Sequence, residues 1–106
     1  MTEPASVTLK RGSLYLSRAI YERFLAGIET VILLRRADDL LILPVHQAAS
    51  GGYLLKLRNA AGDRVVQAAD FFQAHGIGDE IEATLPVVWN TQLAGLCSNT
   101  AFLPQR

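Results

Sequence analysis

The chain has 106 residues, half of them apolar, with ten basic and ten acidic side chains. That length suits one domain with one core, and the zero net charge argues against a protein held to nucleic acid by bulk electrostatics, since non-specific affinity comes mainly from phosphate neutralisation. A single cysteine, Cys97, excludes an intrachain disulfide and a cysteine-based metal cluster.

No run approaches the roughly 18 apolar residues of a membrane span, and MTEPASVTLKRG has no apolar stretch of the kind a secretory signal carries. A cytoplasmic protein with no membrane attachment is expected. Met1–Ser6 reads as a loose tail, Val7–Lys10 as a short strand, Arg11-Gly12 as a turn and Leu14–Leu16 as the returning strand. Ser17 is a suitable N-cap for a helix over about Arg18–Ala26, with Ile20, Tyr21, Phe24 and Leu25 as its apolar stripe. Thr30–Leu34 is β-branched and apolar, Arg35–Asp39 is a polar turn and Leu40–Val45 returns, which together predict a hairpin.

His46–Gly52 is a small, flexible joint. Tyr53–Arg58 alternates Leu55 and Leu57 with Lys56 and Arg58, the pattern of a half-buried strand. Asn59–Asp63 is a turn, and Arg64–Val66 returns. A second short helix follows, with Asp70 in its first turn and Gly76 at its end. Ile81–Val88 is a strand interrupted by Pro86, Trp89–Gln92 a turn, Leu93–Leu96 a weak last strand and Ser98–Arg106 a tail.

The two helices and their flanks look like copies. Ser17 aligns with Ala68, Ile20 with Phe71, Tyr21 with Phe72, Phe24 with His75 and Gly27-Ile28 with Gly76-Ile77. Two unrelated strand–helix–strand segments are the alternative. The stretch Gly62–Glu82 carries Arg64-Val65-Val66, Phe71, Gly76-Ile77 and Gly78-Asp79-Glu80-Ile81-Glu82. In this it resembles the AbrB/MraZ-type swapped-hairpin domain, and the upstream copy at Gly12–Leu34 resembles it more weakly. The chain departs from that family at Ser17 and Ala68, where proline is usual, at His75, where an apolar residue is, and at Phe72 and Gln73, where DNA-binding members carry arginine.

The resemblance implies a β-rich α+β domain over residues 1–106. It would hold repeat one at about 7–46, a joint at 47–52, repeat two at 53–97 and a tail at 98–106. Each repeat is a hairpin with one short helix, and the two interleave into a pseudo-twofold barrel. The resemblance also implies DNA contacts from the first strand and the turn before the helix. Carried over, these are Lys10, Arg11, Lys56, Arg58 and Arg64, residue types that reach phosphates and base edges. The alternative for these cations is a solvated strand face.

No catalytic motif is present, and an enzyme is not expected. His46 and His75 lack metal-ligand spacing, so neither metal nor cofactor is expected. His46 reads as solvated, His75 as packed and Cys97 as buried and inert. Asp38-Asp39 is explained by a hairpin turn. Gly51-Gly52 and Gly76-x-Gly78 lack the context of a phosphate cradle. Trp89 is either core or an anchor for a partner. Two functions follow: an AbrB-like transcriptional regulator that binds duplex DNA, or a non-enzymatic protein-interaction module that kept the fold. For the second, a protein partner or another copy of the chain would cover LLILPV or the Trp89 end.

Overall fold

The computed structural model describes residues 5–46 and 51–102. β1 (Ala5–Lys10) and β2 (Ser13–Leu16) form a hairpin, followed by α1 (Arg18–Phe24) and a second hairpin of β3 (Thr30–Arg36) and β4 (Asp39–Val45). The second half has β5 (Tyr53–Leu54), β6 (Lys56–Leu57), β7 (Arg64–Gln67), α2 (Ala69–Ala74), β8 (Glu82–Asn90) and β9 (Gly95–Ser98). All pairings are antiparallel, in the order β5-β3-β4-β9-β8-β1-β2-β7-β6.

The first and last strands of that order are consecutive in the chain. Tyr53-Leu54 bonds to β3 and Lys56-Leu57 bonds to β7, with only the buried Leu55 between them. One short segment therefore bridges the two ends, and the sheet nearly closes into a barrel. The two halves also exchange partners: β1 lies along β8, and β5 along β3.

Strand alternation fills the interior. Val7, Leu9, Leu14, Leu16, Val31, Leu33, Leu40, Ile42, Val66, Leu85, Val87 and Leu96 all point inward and are buried. Each helix adds one buried side chain, Ile20 from α1 and Phe72 from α2. The Ser17 side chain accepts the Ile20 N–H at 3.3 Å, as an N-cap does. A second acceptor comes from 45 residues away, where Asp63 Oδ1 takes the Arg18 N–H at 2.9 Å. α2 has no side-chain cap; Asp70 lies in its first turn instead. Positive φ at Gly27 (80°) and Gly76 (87°) turns the chain out of each helix, and the Ile77 N–H closes on the Phe72 carbonyl at 2.8 Å.

The structure corrects several expectations. Ala5 and Ser6 belong to β1, opposite Val87 and Pro86, because β8 runs far enough to pair with them. α1 ends at Phe24, where the Leu25 N–H already caps the Tyr21 carbonyl. The half-buried strand predicted over Tyr53–Arg58 is two pieces, and Leu57 is 59% exposed because the sheet has ended beside it. The predicted turn at Trp89–Gln92 is partly strand: β8 continues through Trp89 and Asn90. The weak last strand is instead a fully buried one, shifted to Gly95–Ser98 and clamped between β4 and β8.

The segment after β9 is not a loose tail as far as Phe102. The Thr100 N–H bonds Asp39 Oδ1 at 2.9 Å, the Phe102 N–H bonds the Asp38 carbonyl at 2.9 Å, and the Phe102 ring enters the core. The Asp38-Asp39 turn thus anchors this segment. In the LLILPV strand Leu40, Leu41 and Ile42 are buried, while Leu43, Pro44 and Val45 are half-buried.

Candidate nucleic-acid interface

On β1 and β2 the apolar residues face inward, so Thr8, Lys10, Ser13 and Tyr15 face outward. The register extends this outer face across two more strands. Tyr15 lies opposite Val65, Ser13 opposite Gln67, and Lys56 opposite Val65. The Lys56 ammonium donates to Gln67 Oε1 at 3.1 Å, which holds it over the β7 side of the face. The Arg58 guanidinium lies over the Tyr15 ring, 4.6 Å from its centroid, a cation–π contact in a fixed orientation. Lys10 ends β1, and Arg11 occupies the adjoining turn at φ 52°. Of the five cations named from the sequence, three therefore share one outer face, and a fourth, Arg11, sits in the turn at its end.

The fifth does not. Arg64 pairs with Leu16, whose side chain is buried, so it starts from the inner face. Its guanidinium leaves at the barrel end and stacks on Tyr21 of α1, 4.0 Å from the ring centroid. Its Nε is buried with no hydrogen-bond partner among the described residues. Arg64 is placed to cover α1 rather than to meet a ligand with the other four.

Two carboxylates border the basic face. Glu82 lies directly opposite Lys10 on β8. Asp63 sits near Arg58, and its carboxyl is held below the ordinary range by the Asn59 side-chain amide, then the Arg18 backbone N–H, with a smaller contribution from the Arg58 charge. Asn59 and Asp63 also bind each other reciprocally, Nδ2 to Oδ2 at 3.1 Å and the Asp63 N–H to Oδ1 at 3.2 Å, which fixes the turn between β6 and β7. A shallow, mostly polar cleft of about 200 Å³ opens there, lined by Thr8, Tyr15, Leu16, Ser17, Arg58 and Asp63. The face as a whole presents fixed cations, hydroxyls and an amide, a set that suits phosphate oxygens.

Sequence reasoning missed Tyr15 and Gln67, which orient Arg58 and Lys56. The signal was present in the alternation Ser13-Leu14-Tyr15-Leu16, but it takes the β2–β7 register to show that Tyr15 and Gln67 neighbour those cations.

His75 caps α2 and lies between Phe71 (4.7 Å) and Phe102 (5.6 Å). His46 is exposed at the end of the described first half. The Cys97 thiol is buried, donates to Asn99 Oδ1 at 3.3 Å, and is pushed to higher pKa by burial and by Asp39. Among the described residues no group of three or more His, Cys, Asp or Glu side chains is placed to hold a metal, and no helix is long and apolar enough to cross a membrane.

The opposite side of the barrel differs in chemistry. Leu34, Leu41, Cys97 and Val88 are successive cross-strand partners on the outside of β3, β4, β9 and β8. Leu34 and Val88 are 45% and 57% exposed. At the barrel end Trp89 stacks on Phe24, with centroids 5.9 Å apart, beside an apolar hollow of about 320 Å³. No protein-family model, curated protein or solved structure matches the chain.

Proposed function

We propose that this chain is an AbrB-like DNA-binding regulator, a tandem swapped-hairpin barrel that meets duplex DNA with the outer face of β1, β2, β7 and β6. The observation that carries the reading is the convergence of Lys10, Lys56 and Arg58 on that face, two of them held by Gln67 and Tyr15, with Arg11 in the adjoining turn. The pseudo-twofold form is supported by the strand pairing. Exchanging β1 with β5 and β6, β2 with β7, β3 with β8 and β4 with β9 returns the same cycle of neighbours. The cations act on phosphates as point charges and forks, and the flanking Ser13, Thr8 and Gln67 supply hydrogen bonds.

The test compares duplex binding by the wild type, Lys56→Ala with Arg58→Ala, and Arg64→Ala. The double variant should bind at least tenfold more weakly, as expected when about two phosphate contacts are lost. Arg64→Ala should retain wild-type affinity, since its guanidinium faces Tyr21. Undiminished binding by the double variant would exclude this face. A second reading, a protein-interaction module that has lost DNA binding, is favoured by the exposed Leu34 and Val88 and the Phe24–Trp89 stack. It requires that duplex DNA not bind at low salt.

A further inference from the structure

The outer face of β1, β2, β7 and β6 repeats itself about the pseudo-twofold, and one registration brings the buried positions beneath it into agreement. Leu9 then corresponds to Leu55, Leu14 to Val66, Leu16 to Ala68 and Ile20 to Phe72, all buried. In that registration Lys10 corresponds to Lys56. Lys10 lies opposite Ser13 and Lys56 opposite Val65, the residues that precede the matched Leu14 and Val66. The two lysines stand on opposite edges of the face, β1 and β6, two residues apart along the strands. Three strand spacings of about 4.8 Å and two residues of about 3.3 Å put them about 16 Å apart.

Arg58 and Tyr15 break the symmetry. The β1–β2 connection is Arg11-Gly12, whereas the β6–β7 connection runs from Arg58 to Asp63, so Arg58 opens a segment with no full counterpart. Tyr15 corresponds to Gln67, a different chemistry. The Arg58 N–H bonds the Asp63 carbonyl at 2.7 Å, which fixes its main chain at the mouth of the turn. From there the side chain reaches across β7 to Tyr15 of β2, and so lies between the two lysines. The Asp63 carboxylate is engaged by Asn59 and the Arg18 N–H. Arg58 forms no ion pair among the described residues, where the two are Arg18–Glu22 and Arg35–Asp38.

We infer that Arg58 reads a guanine on one strand in the major groove while Lys10 and Lys56 hold the two backbones that border it, so that one chain selects an asymmetric site. The inference rests on the DNA-binding reading above. A separation of about 16 Å exceeds the minor groove, about 6 Å wide, and suits the major groove, about 12 Å wide, once the lysine side chains lean inward. The face is four strands across, and the major groove admits a ribbon of only two. The strands therefore stay on the rim, and a long side chain has to carry the contact to the base edges. Arg58 is that side chain. Its planar fork matches guanine O6 and N7, and the stack on Tyr15 leaves it less rotamer freedom to lose on binding. At other base pairs the guanidinium falls back on a phosphate, so non-specific binding counts it with the other cations. A chain that carries both halves can differ between them, and here the differing residues are those placed to meet the bases.

The experiment selects duplexes from a random-sequence pool with the wild-type chain and then measures affinity for the selected duplex. A guanine should recur at one position of one strand, with no mirrored guanine on the other. Replacing it by 7-deazaguanine, which removes the N7 acceptor from the major groove, should weaken wild-type binding about tenfold and leave binding by Arg58→Ala unchanged. Arg58→Lys keeps the charge and loses the fork, so it should match the wild type on random duplex and lose the preference. Lys10→Ala and Lys56→Ala should each weaken selected and random duplex by the same factor. Selected duplexes without a fixed guanine, guanines mirrored in an inverted repeat, tolerance of the deaza base, or a preference that survives Arg58→Lys would each overturn the inference and leave the DNA-binding reading in place. No binding to any duplex at low salt would overturn both.

Discussion

At the residue scale, Asp63 does two jobs. It closes the β6–β7 turn through Asn59 and caps α1 through the Arg18 N–H. Asp63→Ala should lower the urea midpoint and fray α1, read by amide exchange at Arg18–Ile20. The pH dependence follows from the direction of its shift. A carboxyl depressed in the folded state contributes stability above the ordinary aspartate pKa and loses it as pH falls through the depressed value. The wild type and Asp63→Ala should therefore differ at neutral pH and converge at strongly acid pH; a gap independent of pH would contradict the charge-based role. Arg64 is the contrasting case, a cation spent on Tyr21. Arg64→Ala should cost about 1 kcal/mol in chemical denaturation, the size of a partly covered cation–π contact.

At the scale of elements, two tight junctions decide the barrel. Gly12 sits at φ 75° in the β1–β2 turn, and a Cβ there would lie 2.5 Å from the Ala69 Cα at the start of α2. Gly12→Ala should cost more than about 1 kcal/mol, because the φ and the contact are both wrong for alanine. Phe102 packs against Phe71, Phe72 and His75, and Phe102→Ala should cost about 3 kcal/mol by thermal or chemical unfolding, as for other buried phenylalanines. A loss below 1 kcal/mol would mean that the segment after β9 is only loosely docked.

Most elements were legible because their period is plain. The β3–β4 hairpin has a β-branched, apolar strand on one side of a charged turn, and α1 has a serine cap. β9 was read as weak because a strand buried on all four residues shows no alternation and contains a glycine. That glycine is there because a Cβ at Gly95 would lie 2.9 Å from the Ile42 carbonyl oxygen. The helix alignment was legible only to within one residue. The first helical hydrogen bonds, Tyr21 to Ser17 and Phe72 to Ala68, agree with it, yet the buried positions are Ile20 and Phe72, one residue out of step. On the candidate interface, Lys10, Lys56 and Arg58 share a face that strand alternation and pairing define, and Arg11 lies in the turn at its end. Arg64 starts from the inner face, in register with Leu16, because one residue along a strand reverses its face.

At the scale of the molecule, the barrel has two unlike sides. The outer face of β1, β2, β7 and β6 carries cations, hydroxyls and an amide; that of β3, β4, β9 and β8 carries the Leu34–Val88 row. This division lets a chain with no net charge concentrate positive charge on one side. The most direct test of the proposed DNA-binding role is the affinity of the wild-type chain for duplex DNA across a salt series. Four cations on phosphates predict that the logarithm of the binding constant falls with the logarithm of salt concentration at a slope of about −3.6. Lys56→Ala with Arg58→Ala should bring that slope to about −1.8, about 0.9 for each cation removed. No binding at low salt, or a slope that the double variant leaves unchanged, would contradict the assignment of this face to DNA.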